Sequence, residues 1–505
     1  MGKAHSAIQR LAGETAIYGM STILARVLNF LMVPLYTRVL TDQAEYGVVA
    51  EFMTYIAVLQ VVLVLGLETG CFRFASMAAY KDRPGGADRV FSSALSMVGI
   101  FAALVCGACM LWHRPIAAAL GYAGRAQCVV YVAGILLMDS VTAILFAKLR
   151  HQHKALRFAV IKTIKICCEL GFNLLFFLVT PSFLAAHPDA FLGKFIAATP
   201  DFNTVLFSIF LSCVVCVLLF LPEFFRKGAY TVERNLLKQL LLYSLPLMIA
   251  GLPGILNDFS DRLLFRFLIP EEASWRAQMG VYQAGLKLAV LINLFIQMFK
   301  YAGEPFFFGE SEKKDAPQTY AKVLDYFTGF CMLMYLGILM YLDVFERILG
   351  ANYREGVIVV PVMALAYVLL GLYYNVSIWY KLSGKTTKFA VLITSVALVV
   401  TLLVNFLFLP RFGYIAAAWG HFASYAAMLL VCVLLGNKYH PIPYHWGKVL
   451  TYIGLGVALY LVSLLYDHWS IWPKLLLNTG LLFVYLVTWA RMEHVGVGTL
   501  RKLRR

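Results

Sequence analysis

Apolar residues occur along this chain in long blocks, rather than in the alternating runs of strands or the one-sided stripes of soluble helices. An α-helix needs about 20 apolar residues to cross roughly 30 Å of hydrocarbon. Blocks of about this length recur from residue 15 onward, so the pattern predicts fourteen transmembrane helices. They cover 15–36, 47–75, 89–111, 122–147, 156–180, 202–224, 236–257, 278–302, 321–345, 356–380, 387–409, 412–436, 447–466 and 472–490.

The predicted fold class is therefore an all-α polytopic membrane protein. Of the 505 residues, 61% are hydrophobic and 14% are charged, whereas a soluble domain has about 25% charged residues. The backbone of a span must satisfy its own hydrogen bonds in lipid, which helices do. A transmembrane β-barrel is excluded because its strands would show two-residue alternation.

The distribution of basic residues predicts the orientation in the membrane. The net charge is +16, but no zinc finger, RNA-binding signature or basic helix accompanies it, so a nucleic-acid partner is not expected. Cytoplasmic loops of membrane proteins collect Lys and Arg. With both termini in the cytoplasm, 27 basic residues fall on that side and 11 on the other, with five inside spans. A cytoplasmic membrane, crossed many times by the chain, is the predicted location.

The ten cysteines lie within or beside apolar blocks. Two pairs, Cys106/Cys109 and Cys213/Cys216, have C-x-x-C spacing, but a zinc site usually needs four ligands and no other Cys/His pair stands nearby. We interpret them as small apolar helix residues and predict no metal and no cofactor. No cleavable signal peptide is predicted, because the first apolar block is too long for one.

The two halves of the chain resemble each other at a nearly constant spacing. The matched pairs are Lys148-Leu149 with Lys381-Leu382, Phe158-Ala159-Val160 with Phe389-Ala390-Val391, Asn173 with Asn405, Gly47-Val48 with Gly280-Val281, and Tyr18 with Tyr243. Four offsets lie between 231 and 233, and the last is 225. Helices 1–6 and 7–12 are thus predicted to be two copies in the same orientation, the parallel type of repeat found in transporters.

These copies predict the domain organisation. The N-terminal lobe covers 1–225, the C-terminal lobe covers 226–437, and residues 438–505 add two helices and a basic tail. Two such lobes are expected to enclose a cavity near the middle of the membrane.

Charged residues inside the predicted spans are the candidate functional residues, because a charge at the bilayer centre costs at least about 2.5–3.5 kcal/mol. The candidate substrate-binding cations are Arg26, Lys162, Lys165, Arg262 and Lys287. The candidate ion-coupling or charge-pairing residues are Glu51, Glu68, Arg73, Asp139, Glu169, Asp258 and Asp261. If the cations converge, they form a cationic chamber that suits a phosphate or pyrophosphate.

Several of these residues have two interpretations. Arg73 and Lys162 lie near span ends, where long side chains can reach the interface without a further role. Asp261 and Arg262 are predicted near the end of helix 7 and either cap it or bind substrate. Glu68 either pairs with Arg73 or binds a coupling proton.

Prolines mark candidate hinges. Pro34 is expected to bend the end of helix 1, and Pro246 and Pro253 are expected to break helix 7. Proline removes a backbone hydrogen bond and clashes with the preceding turn. Kinked first helices in both lobes would suit alternating access, and a static kink is the other interpretation.

The N-terminal region resembles a known family. The residues that carry the resemblance are Ala25-Arg26-Val27, Val33-Pro34-Leu35-Tyr36-Thr37-Arg38-Val39-Leu40, Glu45-Tyr46-Gly47, Leu65-Gly66-Leu67-Glu68-Thr69-Gly70-Cys71-Phe72-Arg73-Phe74, Asp261-Arg262 and Gly280-Val281-Tyr282. They are similar to the polysaccharide-transporter, or lipid-linked oligosaccharide flippase, branch of the multidrug/oligosaccharidyl-lipid/polysaccharide exporter superfamily.

The resemblance implies two six-helix lobes and a flippase, not an enzyme, for undecaprenyl-pyrophosphate-linked sugars of the O-antigen, capsule or exopolysaccharide type. It implies membrane lipid as the surroundings, a proton or sodium ion as coupling partner, and a polysaccharide polymerase as a protein partner. The lipid II flippase also resembles the chain, but its fuller arginine-rich motif is not present at Arg26, where Val27-Leu28-Asn29 follow.

The residues argue against two further function classes, an antiporter and a membrane enzyme. A drug/cation antiporter of the same superfamily would favour an acidic cavity, and the basic bias argues against it. A membrane glycosyltransferase or polymerase usually needs a soluble domain or a long outer loop, and the chain has neither these nor a D-x-D motif. A nucleotide-binding P-loop, G-x-x-x-x-G-K-[ST], is also missing from the sequence.

Overall fold

The computed structural model describes residues 19–77, 86–187, 189, 193, 195–196, 199–225, 232–270, 272–311, 313–382 and 388–493. Fourteen of its helices are long and apolar enough to cross a membrane, which confirms the predicted number. Within the described ranges no residue lies in a β-strand. The predicted fold class is therefore confirmed.

The membrane-spanning helices are numbered in chain order. They are α1 (Gly19–Val39), α2 (Gln43–Ala75), α3 (Gly86–Leu111), α4 (Gln127–His151), α5 (Ala155–Ala186), α6 (Phe202–Leu219), α7 (Arg234–Leu268), α8 (Trp275–Tyr301), α9 (Ala316–Met340), α10 (Ala351–Val376), α11 (Lys388–Phe412), α12 (Tyr414–Tyr439), α13 (Trp446–Leu464) and α14 (Ile471–Met492).

The predicted break in α7 is wrong. Pro246 and Pro253 both lie inside one continuous helix of 35 residues, since membrane helices tolerate proline where neighbouring groups satisfy the freed carbonyls. The helix also continues beyond the predicted end at residue 257, so Asp258, Asp261 and Arg262 lie within it rather than at its end. In α1, a turn at Met32 precedes a second segment whose first turn contains Pro34.

The chain divides into two compact units, Met1–Leu263 and Leu264–Arg505. In the first unit, one buried apolar cluster contains residues from each of the helices α2, α3, α4, α5 and α6 and from the first turns of α7. Leu67, Val90, Ile144, Phe220 and Leu240 are at most 1% exposed in this cluster. The first unit thus has a core of its own, and the lobe boundaries predicted from the repeat stay a prediction.

In the second unit, the two C-terminal helices pack against α9. Nδ2 of Asn478 donates to the carbonyl of Met340 at 2.6 Å, and the Tyr485 hydroxyl donates to the carbonyl of Gly329 at 3.1 Å. Near the other end of α9, Asp325 pairs with Nδ1 of His445 at 2.7 Å. Polar contacts therefore attach the C-terminal pair of helices to α9 at several levels.

The sequence repeat can be compared with the structure at helices α5 and α11. The matched asparagines Asn173 and Asn405 lie on these two helices, and both side chains are fully buried. The repeat therefore corresponds to equivalent helices with an equivalent buried polar residue.

Candidate functional site: a charged cluster in the first unit

A break in α2 positions the charged residues of its second segment. The helical hydrogen bonding stops at Val64, and Leu65 and Gly66 both take left-handed conformations with φ of 56° and 68°. A Cβ on Gly66 would lie 2.7 Å from the carbonyl oxygen of Ser244, so a side chain does not fit there. The helix restarts directly afterwards, which places Glu68 in the first turn of the new segment.

Lys162 on α5 lies at the centre of the charged cluster. Its Nζ donates to the hydroxyl of Thr22 on α1 at 3.2 Å. The charges of Arg26, Arg150, Lys165 and Glu68 all act on it. Of the predicted substrate-binding cations, Arg26 and Lys165 therefore lie within electrostatic range of Lys162 in the first unit.

Glu68 is paired differently from the sequence interpretation. Its Oε2 accepts from Arg150 at 3.1 Å, whereas Arg73 lies over the ring of Tyr243 with its Cζ 4.3 Å from the centroid. Of the two interpretations of Glu68, the pair with Arg73 is therefore replaced by a pair with Arg150, and the binding of a coupling proton stays a prediction. One helical turn separates Glu68 from Phe72, whose ring lies 5.2 Å from the Arg150 guanidinium.

Lys165 and Asp139 form the best-enclosed ion pair of the cluster. Lys165 Nζ lies 2.5 Å from Asp139 Oδ1, with only 20% and 17% of the two side chains exposed. The thiol of Cys213 also donates to Asp139, at 3.4 Å. A carboxylate this close already neutralises the Lys165 charge, so Lys165 holds α4 and α5 together more than it offers a charge to a ligand.

Glu169 and Glu51 have different surroundings. Glu169 lies two turns beyond Lys162 on α5, partly buried, and its carbonyl accepts from the side chain of Asn173. Glu51 is 2% exposed and accepts hydrogen bonds from the hydroxyls of Tyr55 and Tyr122. Because 17 residues separate Glu51 from Glu68, about 25 Å of α2 lies between them.

An ion-pair network lies at the Glu51 end of the first unit. Arg125 contacts Glu45 at 2.5 Å and Asp201 at 3.8 Å, and Glu45 also accepts from the backbone N–H of Phe202. Burial by itself lowers the pKa of Arg125, but the hydrogen bond that Arg125 donates to Glu45 and the charges of Glu45 and Asp201 outweigh it and raise that pKa. The network connects the first turn of α2 to α6.

The remaining candidates lie on α7 and α8. Arg262 donates to the carbonyl of Asp258 at 3.1 Å, and Asp261 is fully buried. Lys287 is partly buried on α8, in the second unit. These positions leave the proposed binding roles of Arg262 and Lys287 as predictions.

The cluster suits an anion. It contains four cations (Arg26, Arg150, Lys162, Lys165) and two carboxylates (Glu68, Asp139), for a formal charge of 4 − 2 = +2. Charge-assisted hydrogen bonds from Lys and Arg are the usual contacts of phosphate groups. Among the described residues, no group of three or more His, Cys, Asp or Glu is placed to hold a metal ion.

Residues 11–308 match a family model described as polysaccharide biosynthesis protein. The chain belongs to this family. The match covers more than half of the chain, including the whole charged cluster, so the family resemblance is confirmed. No curated protein shows a matching sequence.

Solved structures share the fold. The lipid II flippase MurJ in an inward closed conformation is 14% identical, with 97% of this chain and 99% of that chain covered and a TM-score of 0.69. A MATE transporter in complex with MaD3S is 15% identical over 86% of this chain and 96% of that chain, with a TM-score of 0.57. An outward-facing multidrug resistance MATE transporter of the MOP superfamily is 14% identical over 89% and 96%, with a TM-score of 0.54.

At this level of identity the structural likeness extends to the fold alone. Together with the fourteen spanning helices it makes the chain a multi-pass membrane protein of the polysaccharide biosynthesis family. Arg150 belongs to the cluster but was not predicted. It lies beyond the predicted span 122–147, whereas α4 continues to His151 in the structure, and the ion pair with Glu68 shows that Arg150 is part of the cluster.

Proposed function

We propose that this family member is a flippase that moves an undecaprenyl-pyrophosphate-linked oligosaccharide unit, of the O-antigen, capsule or exopolysaccharide type, from the cytoplasmic to the outer leaflet. The observation that carries the proposal is the position of Lys162 among Arg26, Arg150 and Lys165 inside a membrane-spanning unit. The pyrophosphate linkage is the only charged part that such lipid-linked sugars share. The family of polysaccharide biosynthesis proteins supports the same substrate class.

In this proposal the cluster binds the pyrophosphate, and the polyprenyl tail stays in the bilayer while the sugars cross by alternating access. Lys165 is already paired with Asp139, so Arg26 and Lys162 are the proposed direct ligands. In the proposed mechanism, Arg150 leaves Glu68 and binds the substrate pyrophosphate instead. Lys287 and Arg262 are proposed as further contacts of the second lobe. A polysaccharide polymerase is the proposed partner that receives the unit.

The proposed flippase lies in the bacterial inner membrane and is driven by an ion gradient. The excess of basic residues in alternate loops supports a bacterial inner membrane with both termini in the cytoplasm. Glu68 is the proposed site of a coupling proton or sodium ion, since its carboxylate is 40% exposed beside Arg150. Protonation would release Arg150 toward the substrate.

A lipid II flippase is the second candidate, and the fold of MurJ favours it. Depletion of the protein in its host separates the two. We expect the lipid-linked unit of a surface polysaccharide to accumulate in the cytoplasmic leaflet, measured by extraction and mass spectrometry of polyprenyl-linked glycans. Accumulation of lipid II instead would overturn the proposal.

Substitution of single cations tests the site. Arg26→Ala, Lys162→Ala and Lys287→Ala should each slow export of the surface polysaccharide at least about tenfold, because each removes a cation proposed to bind the pyrophosphate. The protein should still insert, since each change removes a charge from a span. Lys313→Ala is the matched control: Lys313 lies outside the spans, 58% exposed and paired with Glu310. Normal polysaccharide output from the three span variants, at wild-type protein levels, would contradict the proposed site.

A further inference from the structure

An apolar groove lies in the first unit between α2, α3 and α4. It encloses about 400 Å³ and is closed at one end by the connecting helix His113–Ala119, through Ile116 and Leu120. Its walls are aliphatic and aromatic side chains with two cysteines. A dry cavity of about 150 Å³ is large enough for benzene, so this groove has room for about 16 carbon atoms.

The walls of the groove do not supply the hydrogen-bond partners that a water molecule needs. The one hydroxyl on its walls belongs to Tyr55, and that hydroxyl donates to the buried Glu51 carboxylate at 2.6 Å. A buried water needs two to four polar partners, which these walls do not supply. An unfilled space of this size would lose dispersion contacts along its whole lining. The chemistry therefore requires a hydrocarbon occupant.

The dimensions of the groove match one leaflet of a bilayer. Along α2 the lining runs from Phe52 to Leu63, twelve residues that span about 16 Å of helix. The hydrocarbon core of a bilayer is about 30 Å thick, so the groove runs from one end of the spans to about the midplane. Leu59, Val62 and Val105 on its edge are 45%, 36% and 39% exposed, which shows that it opens sideways.

The closed end of the groove carries the features of a membrane interface. Trp112, next to the connecting helix, is 63% exposed, and Arg114 on that helix is exposed too. Residues 111–138 contain no Asp or Glu. Arg125 is engaged by Glu45 and Asp201, whereas no described residue forms an ion pair with Arg114. Trp at this level and Arg beside it are the usual neighbours of lipid phosphates.

We propose that this groove binds one acyl chain of an anionic phospholipid, from the leaflet in which the connecting helix lies, with the lipid phosphate at Arg114. A bilayer phospholipid is favoured over a polyprenyl carrier because its chain matches a one-leaflet depth and because its far higher concentration drives occupancy. The proposal does not depend on which headgroup the protein transports.

A photoreactive lipid tests the proposal on the full-length protein in nanodiscs. The probe is phosphatidylglycerol with a diazirine near the end of one acyl chain, and labelled peptides are mapped by mass spectrometry. We expect labelling to concentrate on 101–109 and 129–136. Val105→Trp and Leu59→Trp, which fill the groove from its edge, should each reduce that labelling about tenfold, a change of about 1.4 kcal/mol in binding.

The matched control is Leu104→Trp, next to Val105 on α3 but 68% exposed and outside the groove, which should leave labelling unchanged. Arg114→Gln should remove the preference for phosphatidylglycerol over a phosphatidylcholine probe. Equal labelling in the Val105 and Leu104 variants would overturn the groove as a site, and an unchanged headgroup preference would overturn the role of Arg114. Stronger labelling by a diazirine-bearing polyprenyl phosphate would overturn the choice of occupant.

Discussion

Helices α4 and α5 of the first unit and their counterparts α10 and α11 of the second share a scaffold but not a chemistry. Both pairs keep the Lys-Leu step, at Lys148 and Lys381, and a fully buried asparagine on the following helix. Yet α4 and α5 carry Asp139, Lys162, Lys165 and Glu169 within their membrane-spanning parts, whereas 360–376 of α10 and 389–410 of α11 contain no charged residue. The repeat therefore maintains the fold, and the charges occur in one copy.

The difference indicates that the fold does not require these charges. Each charge near the bilayer centre costs about 2.5–3.5 kcal/mol on insertion scales, and the second copy forms the same helices without that cost. The charges of the first copy thus need a reason other than folding, and the proposed binding of a pyrophosphate supplies one. Three sets of substitutions in the charged cluster test this contrast, and the first two copy residues of the second unit.

The largest effect is expected for the enclosed pair. Lys165→Ala leaves Asp139 without its cation in a nearly dry site and should lower the free energy of unfolding by about 3 kcal/mol. The double variant D139L/K165A copies Leu372 and Ala397 of the second unit and should recover most of that loss. Unfolding by SDS titration in mixed micelles measures both. A double variant as unstable as the single one would mean that the first copy needs the ion pair to fold.

An intermediate effect is expected for Lys162, whose counterpart on α11 is Ile393 or Thr394, according to which repeat offset is applied. Lys162→Thr introduces a smaller side chain that the second unit accommodates on α11, so the free energy of unfolding should stay within about 1 kcal/mol of the wild-type value. Loss of a charge-assisted hydrogen bond to phosphate should slow export about 10- to 100-fold, equivalent to about 1.5–3 kcal/mol. Flipping of a fluorescent polyprenyl-pyrophosphate glycan in proteoliposomes measures the rate. The reciprocal T394K variant is the control and should not raise it.

The smallest effect is expected for the Glu68–Arg150 pair. Its side chains are 40% and 38% exposed, so Glu68→Gln should change stability by less than about 1 kcal/mol. The dependence of export on pH then separates the two roles of Glu68. Export that no longer responds to pH in Glu68→Gln would identify Glu68 as the coupling site, and an unchanged pH profile would leave it as a partner of Arg150 only. Arg125→Gln is the control for an exposed ion pair, since Arg125 is 46% exposed and pairs with Glu45 in the first turn of α2 rather than with Glu68.

Much of the candidate site could be found without coordinates. A charged residue inside an apolar block can be recognised from its immediate neighbours in the sequence, which identifies Lys162, Lys165 and Asp139. Of the two interpretations of Glu68, pairing with Arg73 is wrong: Arg73 lies over Tyr243 of α7, whereas Arg150 at the end of α4 pairs with Glu68. Glu68 and Arg73 lie five residues apart in one helical segment, about 140° around its axis, so they face different neighbours although they are near in sequence.

The sequence by itself determined the number of spans, the repeat, the family and the identity of most buried charges. These follow from composition and periodicity, because hydrocarbon admits only long apolar helices and makes every exception costly. Only the tertiary structure decided that α7 continues through two prolines, that Asp139 neutralises Lys165, and that Arg150 joins Lys162 and Glu68. Those facts depend on which side chains of separate helices meet, and helical periodicity carries no information about the neighbour that each face receives.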